Sequence, residues 1–163
     1  MIALQKLSCY NILIAGVLTA CLSGLVMAAD TLSVTAQDQT TDAMAAGRQA
    51  LQNKNWTQAI ASLKKAVAEN PGNADAHNLL GYSHRAIGKF DDAFAAYDKA
   101  LTIDPKHKGA LEYSGLGYLK TNQKAKAEAQ LAKLKAICAT CEETSSLTKA
   151  LADYKPGVVS STY

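Results

Sequence analysis

Apolar residues recur at helical spacing in short segments of this chain, and polar turn residues separate the segments. Between residues 74 and 105, two such segments flank the turn residues Gly88 and Lys89. The positions that share a face are His77, Leu80, His84 and Ile87 in the first segment, and Phe90, Ala93, Phe94, Tyr97 and Leu101 in the second. Steps of three and four residues are typical of amphipathic helices, and Pro105 would end the second one. The pattern predicts a helix–turn–helix unit.

This unit repeats along the chain at one fixed period. Gly47, Gly81 and Gly115 follow one another with a 34-residue period. The same spacing relates Ala59, Ala93 and Ala127; Leu63, Tyr97 and Leu131; Trp56 and Phe90; and Pro71 and Pro105. Five columns at one period indicate stacked helical pairs, with small residues where the two helices of a pair approach closely.

The repeat resembles the tetratricopeptide repeat. In the middle copy, the residues that match the family pattern are Gly81, Ala93, Tyr97, Ala100 and Pro105. The first copy has Leu63 where the pattern has an aromatic residue, and the third copy lacks the proline. The resemblance implies an all-α fold, a right-handed α-solenoid of three helix–turn–helix repeats at about 40–73, 74–107 and 108–141. A capping helix over 142–154 would cover the apolar face of the last repeat and complete a domain spanning 41–154.

The resemblance also implies a concave groove, lined by four positions on the first helix of each repeat. These positions place the following candidate partner-binding residues in the groove: Arg48, Asn78, Tyr82, Arg85, Glu112 and Leu116, with Met44, Leu51, Asp75 and Leu119 beside them. A Tyr–Arg cluster beside apolar residues suits an extended peptide or a helix. The clamp with which some family members grip a terminal carboxylate is not reproduced, since its positions carry Met44, Arg48, Leu79, Gly109 and Tyr113.

The segment 1–28 has the pattern of a signal peptide. Lys6 is the single charged residue before Asp30, an apolar stretch follows it, and Val26 and Ala28 have the small-residue spacing of a cleavage site. We therefore expect an exported, periplasmic protein without a membrane span in its mature form. The alternative is a lipoprotein anchored through Cys21, because the motif "LTAC", typical of a lipoprotein signal, ends in that cysteine. Residues 29–40 are interpreted as a flexible linker and 155–163 as a flexible tail.

Two cysteines, Cys138 and Cys141, remain in the chain after such a cleavage. They lie where the 34-residue period would place the missing third proline, between the last repeat and the cap. In an oxidising compartment outside the cytosol disulfides persist, so we expect a structural disulfide at this bend. A thiol–disulfide or metal-handling site is the alternative. Zinc would need further ligands, and Glu142 stands where haem attachment requires histidine.

No catalytic constellation is recognised in the sequence, so an enzyme is not expected, nor a cofactor or a metal. His77 and His84 are interpreted as packing residues between helices. The formal net charge of +3 is too small to indicate a nucleic-acid partner. The sequence therefore predicts a non-enzymatic module that binds an unidentified protein or peptide, within a cell-envelope assembly. Alternatives are the thiol or metal function and a lipid-anchored assembly factor.

Overall fold

The computed structural model describes residues 36–157, with side chains from residue 42 onward, and this range contains seven helices. Their bounds are α1 Ala36–Gln52, α2 Trp56–Glu69, α3 Ala74–Ala86, α4 Phe90–Ile103, α5 Lys108–Lys120, α6 Lys124–Ile137 and α7 Glu142–Asp153. Helices α1 to α6 form three consecutive hairpins, and α7 packs against α5 and α6. The all-α prediction of three helix–turn–helix units followed by a capping helix is confirmed.

The turns inside the three hairpins follow the same 34-residue period as the helices. Lys54, Gly88 and Asn122 each adopt a left-handed backbone, with φ of 53°, 77° and 57°. Glycine takes this conformation without steric cost and asparagine tolerates it, whereas Lys54 adopts it at some cost. Each first helix therefore stops at an equivalent place, and each second helix begins two residues after the left-handed residue.

The helices α2, α3 and α5 begin with a side-chain cap. Asn55 accepts a hydrogen bond from the Gln58 backbone N–H at 3.2 Å, and Asn73 accepts one from Ala76 at 3.0 Å. A cap satisfies one of the backbone donors left free in the first turn of a helix. These polar residues fix where the helices start, and the prolines Pro71 and Pro105 lie in the loops between hairpins.

Glycines on α1, α3 and α5 allow bulky side chains to press against the helix backbone. A Cβ built on Gly47 would lie 2.8 Å from Leu63 Cδ2, and one on Gly81 would lie 2.6 Å from Tyr97 Cε1. Such distances are shorter than real carbon–carbon contacts, so a side chain at either glycine would displace its neighbour. The predicted close approach of the two helices at Gly81 is confirmed.

The core runs along the whole array and is built largely from alanine and leucine. Tyr97, Leu63, Leu111, Leu134 and Leu147 are the largest side chains with almost no exposed surface. Leu147 belongs to α7 and lies in one cluster with residues of α5 and α6. The last helix is thus part of the core, as a cap must be if it is to cover an open repeat end.

The ends of the chain differ in how far the structure describes them. Helix α1 begins at Ala36 and so includes the last residues of the segment 29–40 that was predicted as a linker. The predicted signal peptide over 1–28, with Cys21, lies outside the described residues. At the other end, the Tyr154 hydroxyl and the Gly157 N–H both donate to Asn122 Oδ1, at 3.1 and 3.2 Å. The first residues of the predicted tail therefore fold back onto the α5–α6 turn.

Candidate functional site

The first helices of the hairpins, α1, α3 and α5, contact one another in order and form one continuous face. We call this the groove face and define it by Arg48 on α1, by Asn78, Tyr82 and Arg85 on α3, and by Glu112 and Tyr113 on α5. Four of the six predicted groove residues, Arg48, Tyr82, Arg85 and Glu112, keep accessible surface here. The arrangement joins residues that are far apart in the chain, from the first repeat to the third.

Two of the predicted groove residues are buried. Asn78 is 5% exposed, and its amide lies against the backbone of α5 near Gly109. Leu116 is 6% exposed and belongs to the core cluster that includes Leu147 of α7. Because the last helix packs on α5, the Leu116 side chain stabilises the cap and presents almost no surface to a partner.

Three aromatic rings form a row across the groove face. The ring centroids of Trp56 and Tyr82 are 5.9 Å apart, and those of Tyr82 and Tyr113 are 5.2 Å apart. Both separations are in the range where aromatic rings attract one another. The row connects the start of α2 with α3 and α5, so it bridges all three hairpins.

The Arg85 guanidinium lies against this row. Its central carbon is 5.4 Å from the Tyr82 ring centroid and 5.8 Å from that of Tyr113, within the range of cation–π attraction. The aliphatic part of Arg85 packs near Gly117, where a Cβ would meet Arg85 Cδ at 3.6 Å. Arginine is thus held in one position by rings on one side and a helix on the other.

Two polar atoms of the groove face have no hydrogen-bond partner in the described part of the protein. They are Arg85 Nε, a donor, and Asn78 Oδ1, an acceptor, and both are buried. An unpaired buried polar group costs free energy that a water molecule or a ligand can recover.

Charged groups of both signs border the face toward α1. Arg48 lies 3.7 Å from Asp75, and His107 Nε2 lies 3.0 Å from the same carboxylate. His107 Nδ1 accepts a hydrogen bond from the Ala110 N–H, so the proton resides on Nε2, which donates to Asp75. His107 therefore caps α5 and orients Asp75 at once, whereas the exposed Arg48–Asp75 pair adds little stability.

Toward α7 the face becomes acidic. Burial raises the pKa of Glu112, while a hydrogen bond with Ser146 and the charge of Arg85 lower it. Nearby, Lys108 pairs with Glu143 at 3.4 Å. The pairing raises the pKa of Lys108 and lowers that of Glu143, for which a backbone hydrogen bond is the larger cause. Since Ser146 and Glu143 are on α7, the last helix extends the groove face.

The two cysteines lie at the junction of α6 and α7, where Cys138 ends one helix and Cys141 precedes the other. Both are free thiols in this structure. The Thr144 hydroxyl donates to the Cys138 carbonyl at 2.6 Å, and the Cys141 thiol donates to the same oxygen at 3.2 Å. Hydrogen bonds with Cys138 and Thr144 lower the pKa of the Cys141 thiol. The expected disulfide remains a prediction.

Sequence reasoning passed over Trp56, His107 and Tyr113 as groove residues. Tyr113 was considered only as a clamp position, and Trp56 starts a second helix rather than a first one. A detectable signal existed for His107, because it lies one repeat period after the cap residue Asn73. Neither aromatic residue could have been placed without knowing how the hairpins stack.

The described residues show neither a metal site nor a membrane span. Within residues 36–157, no group of three or more His, Cys, Asp or Glu side chains is arranged to hold a metal ion. In the same range no helix is both long enough and apolar enough to cross a membrane. The chemistry available on the groove face is hydrogen bonding, ring stacking and charge pairing.

Stacked helical hairpins with a shared face of first helices define a class of helical-repeat domain. Comparison with known proteins identifies the repeat: residues 44–108 match the family model described as "Tetratricopeptide repeat". The matched residues therefore carry tetratricopeptide repeats, as the sequence period indicated. The third hairpin and α7 lie beyond the matched residues.

Two relatives match part of the chain. The heat shock protein STI1 of Saccharomyces cerevisiae is 33% identical over 73 residues, which are 45% of this chain and 12% of that protein. The uncharacterised protein ycf37 of Guillardia theta is 31% identical over 83 residues, 48% of this chain and 47% of that protein. The chain thus spans less than half the length of either relative.

Solved structures with low sequence identity share the fold. The tetratricopeptide-repeat domain of Arabidopsis OM64 matches with a TM-score of 0.69 at 18% identity and covers 74% of this chain and 100% of that chain. The TPR2B domain of yeast Sti1, solved as an Hsp70 complex, gives 0.66 at 16% identity, with coverages of 72% and 98%. The Yersinia enterocolitica secretion chaperone SycD, with a peptide of the translocator YopD, gives 0.64 at 17%, with coverages of 71% and 88%.

Proposed function

We propose that this protein is a non-enzymatic interaction module that binds a peptide or a helix of another protein on its groove face. The observation that carries the proposal is the Trp56–Tyr82–Tyr113 row with Arg85 held against it. Aromatic residues and arginine dominate the energetics of protein interfaces, since they bury much area at a low cost in side-chain entropy. Rings and guanidinium fixed before binding lower that cost further.

The relatives support this class of function. The yeast Sti1 domain was solved in complex with Hsp70 and SycD with a peptide of the translocator YopD, and both have this fold. Their identities to this chain are as low as 16% and 17%, so the nature of the ligand does not transfer. On this chain, the partly exposed side chains of Tyr82, Arg85 and Glu112 can offer both donors and acceptors to a peptide backbone.

The test is affinity capture from envelope extract with the wild type and a Tyr82→Ala/Arg85→Ala variant. A matched control exists elsewhere in the molecule, because Lys126 lies 5.3 Å from the Tyr118 ring centroid. The control Tyr118→Ala/Lys126→Ala removes the same kind of cation–π pair from a different side of α5. We expect the first variant to lose the captured proteins and the control to keep them. Equal capture by all three folded proteins would refute the groove face as the binding surface.

We further propose that the protein is exported and works within a cell-envelope assembly. The support is the signal-like pattern of residues 1–28, which lies outside the described residues. The intact mass of the mature protein tests the processing: a chain that starts at Ala29 supports simple export. Acyl chains on Cys21 would instead support the lipid-anchored assembly factor, and a mass that retains residues 1–28 would contradict both.

In the exported protein we propose that Cys138 and Cys141 form a disulfide that holds the bend between α6 and α7. The support is their position at this junction, in a compartment where disulfides persist. Alkylation before and after reduction, read by mass spectrometry, tests it: the oxidised protein gains two labels only after reduction. If both cysteines are labelled without reduction in protein isolated from the envelope, the proposed disulfide is wrong.

One observation favours the thiol function as the second candidate. Cys141 precedes α7, and its lowered pKa favours the thiolate, which is the reactive form. The adjacent Glu142 and Glu143 carry negative charges, which disfavour the thiolate of Cys141. An insulin-reduction assay distinguishes the two candidates. Turnover in the wild type that disappears in Cys141→Ser would support thiol chemistry. No turnover in the wild type would support the structural disulfide.

A further inference from the structure

The helices α3, α5 and α7 begin at equivalent positions of the repeat, but their caps differ. Asn73, His107 and Cys141 precede them, one 34-residue period apart. Asn73 accepts a hydrogen bond from the Ala76 N–H, and His107 Nδ1 accepts one from the Ala110 N–H at 3.1 Å. The Cys141 side chain makes no cap. Of the two side-chain caps, that of α5 depends on a group that gains a proton near neutral pH.

A proton on His107 Nδ1 is incompatible with this cap. The Nε2 atom donates to Asp75 Oδ1 at 3.0 Å, so the neutral ring has its free electron pair on Nδ1 and accepts from Ala110 there. In the imidazolium ion both nitrogens are donors, so two N–H groups would point at each other. The ring must then turn away from Ala110, since a positive charge is also unfavourable at a helix N-terminus.

The amide that would lose its acceptor is buried. Ala110 has 0% exposed surface, and its N–H belongs to the first turn of α5, where backbone donors have no partner within the helix. A buried N–H without an acceptor is costly, and water can reach it only if the turn moves. We therefore expect the first turn of α5 to open when His107 is protonated.

Charged groups of both signs surround His107. Asp75 on α3 accepts from its Nε2 and also lies 3.7 Å from Arg48 on α1. The other charged groups at this end of α5 are Asp104, Lys106 and Lys108 in the chain beside it, and Glu143 of α7, which pairs with Lys108. After protonation the contact with Asp75 would become a charge-assisted hydrogen bond, which is stronger. Protonation thus strengthens the link from His107 to α3 and breaks its link to α5.

The first turn of α5 supports the groove face. Glu112 and Tyr113 follow this turn directly, and the Tyr113 ring belongs to the aromatic row. Gly109 lies within the turn, and a Cβ built on it would be 3.1 Å from Asn78 Nδ2, so α3 and α5 are in close contact here. Opening of the turn would loosen this contact and displace Tyr113 relative to Tyr82.

We propose that His107 is a proton-sensitive cap, which opens the first turn of α5 and weakens partner binding on the groove face as the pH falls from about 7.5 to about 5.5. The effect on the partner rests on the proposed function, whereas the opening of the turn does not. The Asp75 contact stabilises the charged ring and the cap stabilises the neutral one. These contributions oppose each other in the free energy of unfolding, so the change is a local one.

Amide hydrogen exchange in the full mature protein, followed by NMR, tests the opening. Ala76 is the internal reference, because it holds the same position in α3 under Asn73, which does not titrate. The ratio of the Ala110 rate to the Ala76 rate cancels the pH dependence that all amides share. We expect this ratio to rise about fivefold or more between about pH 7.5 and about pH 5.5, as the loss of one cap implies. A constant ratio would overturn the proposal.

Two variants assign the response to His107. His107→Asn introduces the cap residue of the previous repeat, so the cap remains and cannot titrate, and the ratio should not change with pH. His77→Gln is the matched control, since His77 Nε2 contacts the Pro71 carbonyl rather than the start of α5, and its ratio should rise as in the wild type. A response that persists in His107→Asn would come from another group, such as Glu112, whose pKa burial raises, and would refute the proton-sensitive cap.

Capture from envelope extract at the same two pH values tests the effect on the groove face. The wild type should capture several-fold less at the lower pH, whereas in His107→Asn the difference between the two pH values should disappear. If the exchange ratio rises but the wild type captures equally at both pH values, the turn does not control partner binding and that part of the proposal is wrong. No capture at the higher pH would instead contradict the proposed function and leave the exchange result unchanged.

Discussion

The middle hairpin and the C-terminal end solve the same packing problem in different ways. In the middle hairpin, the notch at Gly81 on α3 is filled by Tyr97, which comes from α4 of the same hairpin. At the C-terminal end, the equivalent notch at Gly115 on α5 is filled by Leu147, which comes from α7. The 34-residue period would have assigned that role to Leu131 of α6.

This difference shows what the last helix contributes. A repeat inside the array is completed by its own second helix, whereas the terminal repeat takes a side chain from outside the repeat. A Cβ on Gly115 would lie 2.6 Å from Leu147 Cδ2, as close as one on Gly81 would lie to the Tyr97 ring. The capping helix thus packs a side chain against Gly115 as α4 does against Gly81, but it uses Leu147, which lies outside the 34-residue repeat.

The largest effect is expected from Tyr97→Ala, which removes the ring that fills the Gly81 notch. Tyr97 is fully buried, so its truncation should lower the free energy of unfolding by about 4 kcal/mol, the range of large aromatic truncations. Urea unfolding followed by circular dichroism measures this. Burial also raises the pKa of the Tyr97 hydroxyl, so the phenol stays neutral at any working pH. A loss below about 1 kcal/mol would mean that the middle hairpin is not the centre of the core.

Leu147→Ala makes the corresponding change at the C-terminal end. Leu147 is fully buried, and we expect a loss of about 3 kcal/mol in the same measurement. Hydrogen exchange should show faster opening of α7 and α6 while α3 and α4 stay protected, because stability in repeat arrays is partly local. Uniform acceleration along the chain would contradict the view of the cap as a separate contribution.

Gly115→Ala tests the notch itself. Whether this change lowers or raises the free energy of unfolding should depend on Leu147. In the wild type the new Cβ meets Leu147 Cδ2 and Cδ1, and we expect a loss of about 2 kcal/mol. In the Leu147→Ala background those atoms are absent, so the higher helix propensity of alanine should stabilise the protein by up to about 1 kcal/mol. A double-mutant cycle measures the coupling. The same cost in both backgrounds would show that Leu147 does not occupy the notch.

The sequence predicted the helices, their order and the Gly81 contact because these features repeat with the 34-residue period. The period could not supply the partner of Gly115, since Leu147 lies beyond the last repeat. The period also indicated on which side of its helix each groove residue lies, but not how deeply its side chain is buried. For this reason Leu116 was expected on the surface. The depth depends on how α7 settles on α5, which is a tertiary property.

Within the groove face the same limit applies. Tyr82, Arg85 and Glu112 were predicted from helix positions that recur in each repeat. Trp56 and Tyr113 join them only because neighbouring hairpins stack closely enough to bring their rings to Tyr82. A periodic sequence therefore predicts which side of a helix faces a partner, while contacts between repeats decide which residues form the surface.

The smallest expected effect distinguishes the middle hairpin by its pH response. Burial lowers the pKa of His84 from its ordinary value of 6.5. The positive charges of Lys64 and Lys89 lower it further, and the negative charge of Asp92 raises it. The unfolded chain therefore takes up the proton first as the pH falls below about 6.5, so the free energy of unfolding should decrease toward acid. We expect His84→Gln to flatten this slope, measured by urea unfolding between about pH 7.5 and about pH 5.5, and Asp92→Asn to steepen it. Since Tyr118 holds the equivalent position in the C-terminal hairpin, a slope unchanged in His84→Gln would place the pH-dependent group elsewhere and remove this difference between the two regions.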